Sequence, residues 1–452
     1  MKNTLIVFFY LATSLVGVIR PPLLISPLKI DEGAISPVIL SKEKKKKDDT
    51  PKEPTNWGGN ELSQEEKEIE GIKAKVYSLK GGAWLMHKKV KLSAYSIEII
   101  GQDALKGFLK GKVKVEDTEH NITLTGANGV YDKLAETIVL KGRPTLTYID
   151  KNKKKTKISS PYIKRYMGES KTILEKEVLV ENPDYTIFGD SAIYYENEKV
   201  LELDNYPFIF GEESFLTGKK ATYNSEDKKA ILEEETLLFR LSMENEKKKK
   251  DKTSVDKKEN TNEKVRIISL FSGDKLIYDT NSEGEKTIGM YGNAHLVRPD
   301  LIFDANYIKA FGENSKNIEA KDSIQFLDLE NHVKLMGNTL EHNEENGYTH
   351  ITDDTKVEFL NKDNSKVQAT MTAMEIERFN EKKEIVARGD VKVKTENSTL
   401  YGEYATYYEE KENMVLEGNP RMTKDKNTVR SGKIILYPSK NRVLLTDGIK
   451  SN

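Results

Sequence analysis

The chain has no cysteine. That removes disulfides, thiolate metal sites, a cysteine nucleophile and a lipidated N-terminal Cys from consideration. Histidine is scarce too: His87, His120, His295, His332, His342 and His350 are scattered, with no HExxH pattern and no closely spaced ligand pair. No Walker loop, nucleophile elbow or dinucleotide fingerprint occurs in the sequence. Neither sign of charge prevails, because 72 Lys and Arg stand against 73 Asp and Glu for a net charge of -1. Nucleic acid is therefore not an expected partner. Carboxylates this numerous make a close pair inevitable, so a pair identifies no acid-base site. The expectation is no catalytic residue, no metal site and no cofactor.

The apolar share is low as well, at 37%, which suits strands with a single apolar face. The longest uncharged apolar run lies at the N-terminus, where Lys2 precedes Thr4 to Ile19 and Arg20-Pro21-Pro22 stops it. As a helix this run would reach about 24 Å against a hydrocarbon core of about 30 Å. Residues 1–25 thus read as a membrane anchor, or alternatively as a cleaved signal peptide, and either sends the remainder across a membrane. Residues 26–68, rich in Lys, Glu, Pro and Ser with Lys42-Glu43-Lys44-Lys45-Lys46-Lys47 among them, read as a disordered linker.

What is abundant is repetition. A Gly with Tyr five positions later recurs as Gly126 and Tyr131, Gly189 and Tyr194, Gly218 and Tyr223, Gly273 and Tyr278, and Gly402 and Tyr407. A second motif, Leu-any-Gly-any-Pro-any-apolar, follows it, clearest in Leu140-Lys141-Gly142-Arg143-Pro144-Thr145-Leu146 and Leu416-Glu417-Gly418-Asn419-Pro420-Arg421-Met422. Weaker copies centre on Gly292 and Gly389, and on Leu203 to Ile209 around Pro207. The period is about thirty residues, giving about ten copies and marking a repeat architecture.

Within each copy apolar and polar residues alternate with period two, as in Thr145-Leu146-Thr147-Tyr148 and Val391-Lys392-Val393-Lys394, so each copy reads as two strands of a sheet with one wet face. The glycines fall in mid-strand, where they weaken pairing and suggest a bend that passes the strand from one sheet to another. Pro144, Pro207 and Pro420 lie beside that bend, where a missing ladder hydrogen bond costs nothing. The predicted fold is all-β, with two facing antiparallel sheets forming an elongated open trough on the order of 100 Å long at about 4.8 Å per strand. Repeats are expected over 69–242 and 265–452, separated by a Lys-rich disordered insertion at 243–264 that includes Lys247 to Lys250.

One parity of each strand supplies the expected apolar wall: Ile138, Leu140, Leu146 and Tyr148; Leu201, Leu203 and Ile209; Met290 and Leu296; Ile385, Val391 and Val393; Leu416 and Met422. These residues either pack the sheets together or line a groove. The recurrent tyrosines are expected to form a ladder of stacked rings or, alternatively, to pack their rings inward with the hydroxyls at a wet rim, where they could meet a sugar or phosphate. The terminal copy, Ile434 to Tyr437 and Val443 to Leu445, is a candidate docking edge, since an open sheet end can accept a partner strand, or else a short capping strand.

The ordered recurrence of both motifs behind an anchor or signal resembles the OstA/LptA family of lipopolysaccharide-transport proteins. The resemblance implies a V-shaped β-jellyroll, open along one side, whose apolar interior carries the acyl chains of lipopolysaccharide or a similar glycolipid across the periplasm. It also implies end-to-end strand pairing with other Lpt-type jellyrolls and, for LptC-like members, tethering to the inner membrane, here through residues 4–19. The competing expectation is a structural or adhesive β-solenoid of the cell envelope with a filled core and no lipid.

Overall fold

The computed structural model describes residues 54–69, 71–150, 153–245, 264–280, 285–312, 316–424 and 427–451. The chain divides into two units, Met1–Pro51 and Lys52–Asn452, and every described residue belongs to the second. The expected anchor or signal at 1–25 lies outside the described residues.

Among the described residues the second unit is a single antiparallel sheet of 32 strands. Consecutive strands pair as hairpins that run back and forth between two rims. The strand Val90–Ile100 leaves the first rim, turns at the second and returns as Lys106–Asp117, which pairs with Ile122–Asp132. This alternation continues to Arg442–Thr446, which pairs with Lys433–Tyr437.

The strands bend midway, and the bend is built the same way throughout. Lys110 pairs with Asn128 and Val113 with Gly126, so Gly111 and Lys112 together face the single residue Ala127. That is a β-bulge, in which two residues oppose one and the strand kinks. Both bulge residues are left-handed, with φ of 76° and 49°. The same left-handed dipeptide recurs at Gly142-Arg143, Gly292-Asn293, Gly389-Asp390 and Gly418-Asn419, and also without glycine at Lys176-Glu177, Asn205-Tyr206, Glu234-Glu235, Asp322-Ser323 and Asp353-Asp354. Beside Pro144, Pro207 and Pro420 the strand divides outright, as in Thr137–Lys141 followed by Thr145–Ile149.

Two glycine types serve this bend. Gly418 supplies the left-handed backbone, at φ 77°. Gly402, on the facing strand, is extended and allows close approach, since a Cβ there would lie 2.9 Å from the Glu417 carbonyl oxygen. Gly418→Val should destabilise by about 3 kcal/mol, adding the left-handed penalty to a clash with the Glu403 side chain, whose Cβ would lie 2.5 Å away. Asp354→Gly at an equivalent bend should cost under about 0.5 kcal/mol, because relief of its left-handed strain offsets glycine's unfolded-state entropy. Urea unfolding midpoints check both.

The ladder continues across each bulge, so the two expected sheets are two halves of one sheet folded along the line of bends. Two boundaries also differ from expectation. Strands occupy Thr55–Gly58 and Glu61–Ile69, inside the stretch expected to be linker. Glu61–Ile69 is almost wholly exposed and pairs on one side, with Ile72–Lys80. Its backbone hydrogen bonds hold it while its charged side chains stay in water, so hydropathy gives no sign of it, and its charges suit a sheet end. Strand pairing likewise runs through Asn245 and resumes at Lys264, with those two residues opposite one another. The expected insertion is thus trimmed to begin after 245, and its interior lies outside the described residues.

Candidate functional site

Following register from strand to strand shows what the alternation builds. In one half of the folded sheet, Leu92, Val115, Leu124, Leu146, Ile158, Val180, Ile187, Ile209, Leu216 and Leu238 stand directly opposite one another in succession. The row continues through Phe271, Leu296, Phe303, Phe326, Leu335, Val357, Met371, Val393 and Leu400 to Met422. No polar side chain interrupts it.

The other half carries a second such row, from Leu140 through Ile163, Leu174, Ala192, Leu203, Ala221 and Leu232. It proceeds by Leu276, Met290, Ile308, Ala320, Leu340, Ile351, Ile376, Ala387 and Ala405 to Leu416 and Ile434. Side chains from both rows join one apolar cluster between the halves. Of the expected wall residues, Ile138, Leu140, Leu146, Met290, Ile385, Val393 and Leu416 are fully buried, while Tyr148, Leu201, Leu203, Ile209, Leu296 and Val391 are at most 6% exposed. Met422 is half-buried against the same cluster. The interior is therefore apolar contact from bend toward rim, with side chains filling it.

The motif tyrosines occupy a third row, at the second rim. It reads Tyr131, Ile138, Arg165, Thr172, Tyr194, Leu201, Tyr223, Ala230 and Tyr278 in successive strands. Further along it contains Arg378, Ile385 and Tyr407. Other residues separate the rings, so the expected ladder of stacked tyrosines does not form.

Four of the five rings, those of Tyr131, Tyr194, Tyr223 and Tyr407, instead meet a ring from the first rim. Tyr194 stacks on Tyr148 with centroids 5.3 Å apart, Tyr223 meets Tyr185 edge-on at 4.8 Å, Tyr407 meets Phe359 at 4.5 Å and Tyr131 meets His87 at 6.2 Å. Tyr148 and Phe359 end strands that arrive at the first rim, whereas Tyr194 and Tyr407 end strands that arrive at the second. Aromatic pairs of this geometry contribute about 0.5–1.5 kcal/mol beyond area burial. Burial pushes the phenols of Tyr131, Tyr223 and Tyr407 up to about 12, so they stay neutral at ordinary pH.

Two arginines bridge the same seam. Arg165 Nε and Nη2 donate to the Glu196 carboxylate at 2.8 and 2.7 Å, and Nη2 also donates to Asp117 Oδ2. Arg165 and Glu196 come from the second rim and Asp117 from the first. All three side chains are buried, the most exposed being Asp117 at 3%. Thr172 Oγ1 donates to Glu196 at 2.7 Å, and the His120 ring lies 2.9 Å from Asp117 and 3.1 Å from Asn197. Lys88 of the first rim pairs with Glu136 of the second nearby, at 2.7 Å.

A second clamp repeats the first. Arg378 Nη2 donates to Asp328 of the first rim at 2.7 Å, and its Nε donates to Glu409 of the second at 3.0 Å. Each aspartate also holds its own hairpin turn. Asp117 Oδ1 accepts from the backbone of Glu119 and His120, and Asp328 Oδ1 from Glu330 and Asn331. One carboxylate oxygen thus fixes the turn while the other receives the arginine.

Asp117, His120 and Glu196 place ligand atoms within 4.8 Å of one another, as a metal site would. The Arg165 guanidinium already lies among these carboxylates and supplies the positive charge, so the chemistry of this cluster is that of an ion-paired clamp. The sequence reading missed both clamps. Their signal is a longer repeat, for Asp328 lies 211 residues after Asp117, and Arg378 and Glu409 each lie 213 after Arg165 and Glu196.

A folded antiparallel sheet with an apolar interior and two rims in contact defines a β-jellyroll. Residues 283–442, a little over a third of the chain, match the family model described as LptA/(LptD N-terminal domain) LPS transport protein. No curated protein matches the chain. Among solved structures it is similar to LptH from Pseudomonas aeruginosa, described as the LptA homologous periplasmic component of the conserved lipopolysaccharide transport device. That likeness has 18% identity over 25% of this chain and 81% of that one, with a TM-score of 0.23.

Proposed function

We propose that the chain is a non-enzymatic carrier of lipopolysaccharide or a similar amphipathic glycolipid, working in the periplasm of a Gram-negative envelope. The observation that carries this reading is the pair of uninterrupted apolar rows. An acyl chain needs a continuous apolar path, and register supplies one from Leu92 to Met422 without a polar break. Because the inward side chains bury against each other, an entering chain exchanges one apolar contact for another. Each methylene it removes from water gains about 0.8 kcal/mol.

Partners of the same fold would add strands at the sheet ends, of which Arg442–Thr446 is one, and residues 4–19 would tether the chain to the inner membrane. The full burial of the inner rows favours the second reading, a filled structural solenoid. Photo-crosslinking amino acids at Leu140, Leu203 and Leu416 separate the two. The carrier reading expects lipid adducts at all three in cells and none at Lys141 or Glu202, which are exposed. Inner-position adducts to protein alone would leave the structural solenoid.

A further inference from the structure

We infer that the Arg165 and Arg378 clamps are latches that hold the two rims of the folded sheet together and set access to its apolar interior from the side. This rests on the carrier reading above for what enters, but not for the latch itself. Each arginine sits in an inward-facing register position, opposite Ile138 and Ile385 respectively. An isolated charge there would be buried without compensation. A carboxylate from its own rim and another from the opposite rim offset that cost together, so both pairings exist only while the rims are in contact.

Parting the rims leaves Arg165 with Glu196 and strands Asp117 on the far side. The ring pairs beside the clamps are nonpolar contacts that can be exchanged for lipid. The forked ion pairs are directional and cannot be exchanged in that way. Their placement 213 residues apart secures the seam at two separate stations.

The test uses the full chain, whose lack of cysteine allows clean spin labelling. Label pairs are placed across the seam at Glu119→Cys with Glu198→Cys for the first clamp, and at Glu330→Cys with Glu410→Cys for the second. Distances by pulsed electron resonance are read alongside uptake of pyrene-labelled hexadecanoic acid. Arg165→Met should lengthen and broaden the first distance, leave the second unchanged and raise the uptake rate by about tenfold.

Arg165→Lys guards against a failure of Arg165→Met to fold, because it keeps the charge yet cannot fork to both carboxylates, and it should give a smaller change of the same kind. The triple replacement Asp117→Leu, Arg165→Met and Glu196→Leu should close the seam again. If both single variants lower the unfolding midpoint while the cross-seam distance stays as in the parent, the clamps are structural only and the latch is overturned. A widened seam with no uptake keeps the latch and removes the lipid.

Discussion

Leu203→Asp should destabilise the protein by more than about 4 kcal/mol, whereas Glu202→Val, one residue away, should change stability by less than about 1 kcal/mol. The two positions differ only in parity. Leu203 stands between Ala192 and Ala221 in the inner row and is 2% exposed. A carboxylate placed there faces hydrocarbon on the opposite half, with no cation anywhere in its row, since Arg165 and Arg378 belong to the rim row. Glu202 is exposed, and its carboxylate accepts a hydrogen bond from Tyr195 at 3.1 Å, which is the whole of what Val would lose. Urea midpoints for the pair, with backbone exchange of the Tyr185–Tyr195 strand, measure the difference. A cost for Leu203→Asp no greater than that of Glu202→Val would mean that the inner row is wet, and the apolar path would fall with it.

That parity was legible in the sequence because the strand period is two and the repeats enforce it many times over. Leu140, Leu203, Met290 and Leu416 needed only alternation to be assigned inward. Bends were legible where glycine or proline marks them, as at Gly142 and Pro144. They were hidden at Lys176-Glu177, Glu234-Glu235 and Asp353-Asp354, where ordinary residues adopt the left-handed region because the bulge in the surrounding ladder determines it. The terminal strand Glu61–Ile69 was hidden for a different reason, since backbone pairing holds it and its side chains carry no hydropathy signal.

The clamps were the least legible feature. Arg165 occupies an inward position in a stretch, Tyr162 to Tyr166, that reads as a half-polar strand. Its partner Asp117 lies 48 residues earlier, at the opposite rim. Sheet pairing is deducible from consecutive hairpins, but the offset with which one rim meets the other depends on the accumulated twist of the folded sheet, and no local pattern records that. Only comparison of the two halves of the chain at the longer spacing exposes the matching Asp, Arg and Glu.

The two clamps should also part company in acid. Asp117→Asn should cost about 3–5 kcal/mol at pH 7, because the amide can still hold the turn through its oxygen but turns a donor group toward Arg165 and leaves that guanidinium undercompensated. Burial alone would push the Asp117 carboxyl up. The Arg165 hydrogen bond and charge, with His120 and its backbone amide, outweigh burial and hold it at about 2 against an ordinary 3.8. A carboxyl lowered by folding contributes stability that is fully present above 3.8 and lost as the pH falls through about 2, so the deficit of Asp117→Asn should shrink over that window.

Glu409 behaves in the opposite sense. Burial raises its carboxyl above the ordinary 4.5, with Asp328 adding to the rise and Arg378 and Lys383 opposing it. The fold therefore favours its protonated form, and the stability it contributes is present below 4.5 and declines as the pH rises through the raised value. Glu409→Gln imitates that form and keeps an acceptor for Arg378, so at pH 7 it should change stability by no more than about 1 kcal/mol. Urea midpoints of parent, Asp117→Asn and Glu409→Gln between pH 7 and pH 2 test the contrast. Equal costs at pH 7 would show that the two stations are electrostatically alike, whereas the expected order makes Asp117, and not Glu409, the carboxylate whose contribution acid removes.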